Sequence, residues 1–300
     1  YCIKKLHMRI TFGKFDFGLL RDMAGFSFFI FLNEIINQIN WTVDTTLLGI
    51  ISGTAATAIY GVGSQINQYY MALSTSISGV FTPQINRIVA RGEGDEQLTK
   101  LFTRVGRIQF MLLMLVLTGF VFVGEPFICA WGGEEYGAAY WIALLLIAPV
   151  TVPLIQNIGI EIQRAKNMHQ FRSKVYFCMA IGNALVSIPL GMKFGGIGCA
   201  LGTAISMVVG NGFIMNWYYQ THIGLDMRYF WKHILSIVPA MLPAVALGII
   251  AVRLHTFTGY AGVVTFAVPY AAVYAVGLYL FAMDESEKNM VRGVMRKIRR

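Results

Sequence analysis

Apolar residues in this 300-residue chain fall into eight long stretches separated by short charged segments. At 1.5 Å of rise per residue, a helix of about 20 residues crosses the hydrocarbon core of a bilayer, which is about 30 Å thick. The pattern therefore predicts an all-α, polytopic membrane protein with about eight transmembrane helices. Their approximate ranges are 23–51, 55–88, 108–128, 140–162, 175–192, 197–218, 234–252 and 261–283.

The composition strengthens this interpretation. Hydrophobic residue types make up 56% of the chain and charged types only 13%. A soluble domain usually carries about 25% charged residues. In water, a chain this apolar would expose large hydrophobic patches, whereas in lipid the same composition is expected.

The basic residues indicate an orientation in the membrane. If the N-terminus is cytoplasmic, all of the 24 Lys and Arg residues except Lys193 and Arg253 fall in segments on the cytoplasmic side. Such a bias is typical of membrane topology signals, so we expect both termini to be cytoplasmic. The net charge of +9 could also suggest nucleic-acid binding. Its even spread between apolar stretches argues against that partner.

The sequence contains none of the common motifs of soluble enzymes. It has no phosphate-binding P-loop, no H-E-x-x-H zinc motif and no G-x-S-x-G nucleophile elbow. The four cysteines form no C-x-x-C pair and have no histidine at metal-ligand spacing. We therefore expect no catalytic residues, no metal site and no cofactor.

The first apolar stretch carries an unusual polar face. Asn33, Asn37, Asn40 and Asp44 are spaced 4, 3 and 4 residues apart, which places them on one side of a helix, with Glu34 on the adjacent side. A charge at the bilayer centre costs several kcal/mol unless it faces protein or a watery cavity. This helix should therefore line a polar cavity or an ion site. The alternative is a buried hydrogen-bonding network that only holds helices together.

Other stretches carry matching polar residues. The second has Ser64 and Gln68, among others, at helical spacing, and the fifth and sixth contain Asn183 and Thr203. Taken singly, each could be a helix–helix hydrogen bond rather than a ligand. The sixth also repeats small residues every four positions, which predicts close packing against another helix. These are Gly198, Gly202, Ser206 and Gly210.

Two segments resemble a known family. The run Asn40–Gly49 (NWTVDTTLLG), followed by Ala58–Gly61 (AIYG), is similar to the seventh helix of polysaccharide (O-antigen or repeat-unit) flippases. Asn183–Gly191 and Gly195–Thr203 resemble the hairpin of that family's eleventh and twelfth helices. The superfamily also includes multidrug extrusion pumps and lipid II flippases. The resemblance extends over essentially the whole chain.

The resemblance implies a two-lobed transporter of which this chain holds the C-terminal lobe. It assigns residues 1–22 to a cytoplasmic basic segment and 23–218 to a six-helix lobe. Residues 219–283 would form two additional helices, and 284–300 a basic cytoplasmic tail. Since the chain begins with Tyr1 rather than Met, we expect an N-terminal lobe of the same protein to be missing here.

The resemblance also implies a function and candidate sites. We expect alternating-access flipping of an undecaprenyl-pyrophosphate-linked oligosaccharide across the bacterial inner membrane, coupled to Na⁺ or H⁺. By position, Asp44, Asn183 and Thr203 would form the ion-coupling site, together with the polar face that holds Glu34, Asn37 and Asn40. Candidates for the cytoplasmic substrate mouth are Arg87, Arg164, Glu161 and Gln68.

Three other functions stay open from the sequence. A multidrug or cation antiporter would share the same fold. A membrane-embedded glycosyl- or acyltransferase would need an acid, base or histidine cluster at one membrane face, and none is visible. A membrane scaffold would be indifferent to changes on the polar face of the first helix.

Overall fold

The computed structural model describes residues 17–18, 20–21, 23–24, 27–28, 31 and 44–298. All regular structure in this part of the chain is helical, which confirms the predicted all-α class. Helix α1 covers residues 44–51, so Asp44 is described. Of the predicted polar face, Asn33, Glu34, Asn37 and Asn40 lie outside the described residues.

The remaining helices follow in chain order. They are α2 (Gly53–Arg91), α3 (Asp95–Gly132), α4 (Ala139–Ile155), α5 (Ile158–Ala165), α6 (Gln170–Ile223), α7 (Met227–Leu235), α8 (Val238–Leu254), α9 (Gly259–Phe281) and α10 (Glu285–Ile298). A short 3₁₀ turn, Glu134–Tyr136, precedes α4. Helix α2 ends at Arg91 and is capped by Gly92, whose left-handed φ of 63° suits glycine. Helix α3 begins with Asp95 and Glu96, whose negative charges interact favourably with the positive end of the helix dipole.

Within the described residues, four helical segments are long and apolar enough to cross a membrane. They are α3, α6, the α7–α8 pair and α9. Helices α4 and α5 together make a fifth, bent by 43°. The 39-residue α2 is long enough as well, but its polar side chains lower its hydropathy. The chain is thus a multi-pass membrane protein, while the predicted count of eight crossings is not confirmed.

Helix α6 is a hairpin rather than one straight rod. Gly195, with φ 59° and ψ −136°, reverses the chain between residues 170–194 and 196–223, which we call its first and second arms. A side chain at Gly198 would run into the carbonyl oxygen of Leu190, and one at Gly202 would run into Ser187. The small residues therefore allow the two arms to touch, as the sequence pattern predicted.

Replacing Gly198 by alanine should destabilise this hairpin by about 1–3 kcal/mol, the usual cost of overpacking. The added methyl group would meet backbone atoms of Leu190, which cannot rotate away. The matched control is Gly182→Ala on the first arm, where nothing lies within 4 Å of the new methyl group. Thermal unfolding in detergent measures both variants. Equal stability of the two would contradict the close approach.

The bend between α4 and α5 is held by polar and close contacts. The Ser74 hydroxyl of α2 donates to the carbonyl oxygen of Leu154 over 2.7 Å. Gly106 of α3 packs so closely on the carbonyl of Ile155 that a Cβ would lie 2.8 Å from its oxygen. Backbone groups released by a bend need new partners in a membrane interior. Helices α2 and α3 therefore fix the bend in place.

Candidate functional site

Asp44 forms the centre of a buried polar cluster. Its carboxyl group is 2% exposed and lies where α1, α2 and the second arm of α6 meet. Tyr60 of α2 donates to Oδ2 over 2.6 Å, and Thr203 of α6 donates to the same oxygen over 2.5 Å. The other oxygen, Oδ1, is buried and has no hydrogen-bond partner among the described residues. Within the described part of the chain, only one oxygen of this buried carboxylate is thus hydrogen-bonded.

The first arm of α6 completes the cluster. Asn183 and Ser187 on this arm connect to Asp44 through Thr203. The Ser187 hydroxyl lies 2.8 Å from Asn183 Oδ1 and 3.3 Å from the carbonyl oxygen of Cys199. Thr203 Oγ1 lies 3.2 Å from Asn183 Oδ1. The structure therefore brings Asp44, Asn183 and Thr203 together, while their role in ion coupling stays a prediction.

The chemistry of this cluster suits a small hard cation or a proton. Its groups are carboxylate, amide, hydroxyl and carbonyl oxygens, which hard cations prefer over nitrogen or sulfur ligands. In the described part of the chain, no Lys or Arg forms an ion pair with Asp44. A buried carboxylate without a protein counter-charge is strongly disfavoured unless it takes up a proton or a cation. Among the described residues, no group of three His, Cys, Asp or Glu side chains is placed to hold a metal ion.

A second polar cluster lies further along α2. Gln109 of α3 donates through Nε2 to Ser74 Oγ over 2.9 Å and to Ser78 Oγ over 2.7 Å. All three side chains are at most 4% exposed. Gln109 Oε1 is buried without a partner in the described structure. Like the Asp44 cluster, this one contains a buried polar atom that has no partner among the described residues.

The candidates for the substrate mouth do not contribute to the Asp44 cluster. Glu161 and Arg164 lie on α5 and pair with each other, with Oε1 and Nη1 2.8 Å apart. Arg87 and Gln68 lie on α2 and are exposed. Arg87 and Arg164 are thus accessible to a soluble or headgroup anion, and nothing in the described structure assigns them a ligand.

A buried ion pair that no sequence pattern predicted joins Arg107 of α3 to Glu287 of α10. Arg107 Nε donates to Glu287 Oε1 over 2.9 Å, and Nη2 donates to Oε2 over 3.0 Å. The same guanidinium donates to the carbonyl oxygens of His233 at 3.0 Å and Ala282 at 2.7 Å. It thereby joins the ends of α7 and α9 to the start of α10. The two partners are 180 residues apart, so no local pattern links them.

Tyr60 was also not predicted as a site residue, although it belongs to the AIYG motif that carries the family resemblance. Ser187 lies one helical turn after Asn183, so the spacing of polar residues on the fifth apolar stretch places both on one face. Tyr60 could not be found in that way, because its contact depends on how α1 and α2 pack.

Comparisons with known proteins give a consistent result. Residues 3–141 match the family described as "Polysaccharide biosynthesis protein". A curated relative, the probable flippase AglR of Haloferax volcanii, is 26% identical over 174 residues, which are 56% of this chain and 36% of AglR. The chain therefore spans only about a third of that relative's length.

The fold matches a solved transporter structure. The structure described as "Lipid II flippase MurJ, inward closed conformation" superimposes with a TM-score of 0.69 at 16% sequence identity. The match covers 92% of this chain and 57% of that one. At this identity the likeness shows a common fold. Together with the sequence matches, it confirms the predicted resemblance to the polysaccharide flippases.

Proposed function

We propose that this chain, a relative of the polysaccharide flippases, is part of a transporter that moves a lipid-linked oligosaccharide across a membrane. The observation that supports the proposal is that the relative found by sequence and the relative found by fold are both named flippases. The relative found by sequence is named a probable flippase, and the relative found by fold is named a lipid II flippase. Both names describe transport rather than a chemical reaction.

In this proposal, the chain supplies the C-terminal lobe and two further helices. A preceding lobe of the same protein would complete the cavity, since the matched relatives are considerably longer than this chain. The protein would lie in the bacterial inner membrane with both termini of this chain cytoplasmic. The substrate would be a sugar repeat on undecaprenyl pyrophosphate.

The mechanism follows from charge and burial. Binding of Na⁺ or H⁺ at Asp44 neutralises a carboxylate that three helices share, and this favours the arrangement in which Tyr60, Thr203 and Asn183 surround it. Release of the ion leaves an uncompensated buried charge, which favours an arrangement open to water. The ion gradient would thereby bias which side of the membrane the cavity faces.

Arg87 and Arg164 would bind the pyrophosphate at the cytoplasmic mouth, because guanidinium groups pair with phosphate through charge-assisted hydrogen bonds. Replacing both with glutamine should weaken substrate binding by about 10–100-fold, or roughly 1.5–3 kcal/mol. The maximal rate should change less than the affinity. As a control, Arg91→Gln removes another exposed charge of α2, four residues after Arg87. Arg91 Nη1 lies 3.6 Å from Glu93 Oε1.

The experiment is a flipping assay on the complete protein in proteoliposomes. A lipid-linked oligosaccharide with a fluorescent sugar is placed in both leaflets, and its arrival at the opposite face is measured by quenching. Ion-dependent movement of the sugar supports the proposal. Movement of cationic dyes, without movement of the lipid-linked sugar, would instead establish a drug or cation antiporter.

A further inference from the structure

One face of α2 carries a continuous line of buried polar side chains, which we call the polar seam. Its members are Tyr60, Ser64, Asn67, Ser74 and Ser78, and none is more than 9% exposed. Their spacings of 4, 3, 7 and 4 residues place them within one narrow stripe of the helix. The seam begins at the hydroxyl that binds Asp44 and ends at the hydroxyl that binds Gln109.

The seam is nearly as long as the hydrocarbon core of a bilayer is thick. From Tyr60 to Ser78, a helix rises about 27 Å, which is close to the roughly 30 Å thickness of a hydrocarbon core. Other faces of α2 carry exposed apolar side chains such as Leu73 and Val80. The polar groups therefore lie inside the protein, where lipid does not reach them.

Polar atoms without protein partners occur along this seam. Both amide atoms of Asn67 are buried and unpaired among the described residues, and Asn67 is 0% exposed. Asp44 Oδ1 at one end of the seam and Gln109 Oε1 at the other are also buried without a hydrogen-bond partner among the described residues. On α5, which packs against α2, both amide atoms of Gln163 are likewise buried and unpaired among the described residues.

Such atoms are costly unless something binds them. Each buried unpaired donor or acceptor costs about 1–3 kcal/mol, and in native proteins nine-tenths or more of these groups have a partner. Buried water commonly supplies it, with two to four hydrogen bonds to polar groups. A stripe that served only for helix packing would pair its polar atoms with each other. Asn67 does not fit that explanation.

We propose that the polar seam is a water-filled path along which the coupling cation travels between Asp44 and the Gln109 cluster, on the side of Asp44 that leads toward the Arg91 end of α2. This inference rests on the proposed ion-coupling role of Asp44. The path would lie between α2 and the helices packed on its buried face. Met71, which is partly buried, is the apolar side chain within the stripe, between Asn67 and Ser74.

Silver ions test the path directly. Ag⁺ is a small monovalent cation that reacts with thiols, so its reaction rate reports cation access. The complete protein is prepared with its native cysteines replaced, and Ser64→Cys is introduced as the reporter. Ag⁺ is added from the side of the membrane where α2 ends at Arg91, and the remaining thiol is titrated after denaturation. Leu73→Cys, on an exposed apolar face of α2, is the background control.

The expected result has two parts. The thiol of Ser64→Cys should react with Ag⁺ about tenfold faster, or more, than the thiol of Leu73→Cys. Adding Asn67→Leu should slow the reaction at Ser64→Cys by about tenfold, because loss of a polar contact of about 1.4 kcal/mol changes a rate by that factor. The matched change Gln65→Leu affects an exposed glutamine on the same helix and should leave the rate unchanged.

The outcomes separate this inference from the proposed function. A rate at Ser64→Cys no higher than at Leu73→Cys, or one that Asn67→Leu leaves unaltered, would overturn the seam as a cation path. Neither result would affect the flipping assay. Conversely, flipping that tolerates Asp44→Asn would remove the coupling role while the silver reaction still reported access along the seam.

Discussion

Flipping by an Asp44→Asn variant is expected to fall at least tenfold when the coupling ion is present below saturation. Asparagine keeps the shape of the side chain and still accepts hydrogen bonds from Tyr60 and Thr203, so the cluster should stay assembled. It lacks the negative charge that attracts a cation. A charge-assisted contact is worth about 1.5–3 kcal/mol, or roughly 10–150-fold in affinity.

The measurement is the proteoliposome flipping rate as a function of Na⁺ concentration and of pH. The variant should need more cation for half-maximal rate, or lose ion dependence altogether, while its thermal unfolding stays close to that of the native protein. Glu135→Gln is the control, since Glu135 is an exposed carboxylate in the 3₁₀ turn before α4. An Asp44→Asn protein with native rate and native ion dependence would show that Asp44 only holds helices together.

Replacing Arg107 by alanine should destabilise the protein by about 3–5 kcal/mol, the usual cost of removing one partner from a buried ion pair. The Arg107 and Glu287 side chains are each only 5% exposed, so the remaining carboxylate would stay buried without its counter-charge. The carbonyl oxygens of His233 and Ala282 would lose their donor as well. Thermal unfolding in detergent gives the size of the effect.

A second variant separates the charge from the packing. Arg107→Met combined with Glu287→Leu removes both charges and should be more stable than Arg107→Ala, since no unpaired charge remains. The exposed pair of Lys288 and Glu285 is the control, because Glu285 is 75% exposed and Glu285→Ala should cost about 0–1 kcal/mol. If Arg107→Ala costs no more than Glu285→Ala, the buried pair contributes little to stability.

The all-α class could be predicted because apolar length and periodicity are local properties of the chain. The 4-3-4 spacing of polar residues singled out Asp44, which lies in a buried polar cluster, while the other three residues of that spacing lie outside the described part of the chain. The approach of Asn183 and Thr203 to Asp44 came from the family resemblance, since nothing in helical spacing relates residues on different helices. The sequence pattern also anticipated that Gly198 and Gly202 face another helix, but not which one.

Other features depend on how distant segments pack and could not be predicted. Arg107 was counted with the basic cytoplasmic segment, whereas the structure buries it against Glu287 of α10. The second arm of α6 winds as π-helix at Val208–Met215, where the Asn211 carbonyl accepts from the Asn216 side chain. A side chain that competes with backbone N–H groups for a backbone carbonyl in this way leaves no regular pattern in the sequence.

The hairpin of α6 also affects the order in which the Asp44 cluster can form. Asn183 and Thr203 are only 20 residues apart, whereas Thr203 and Asp44 are separated by 159. The entropy of loop closure rises with the logarithm of loop length, so the longer loop costs about 2 kcal/mol more. The hairpin is therefore expected to assemble its half of the cluster first during folding, and α1 then docks its carboxylate onto a prepared surface.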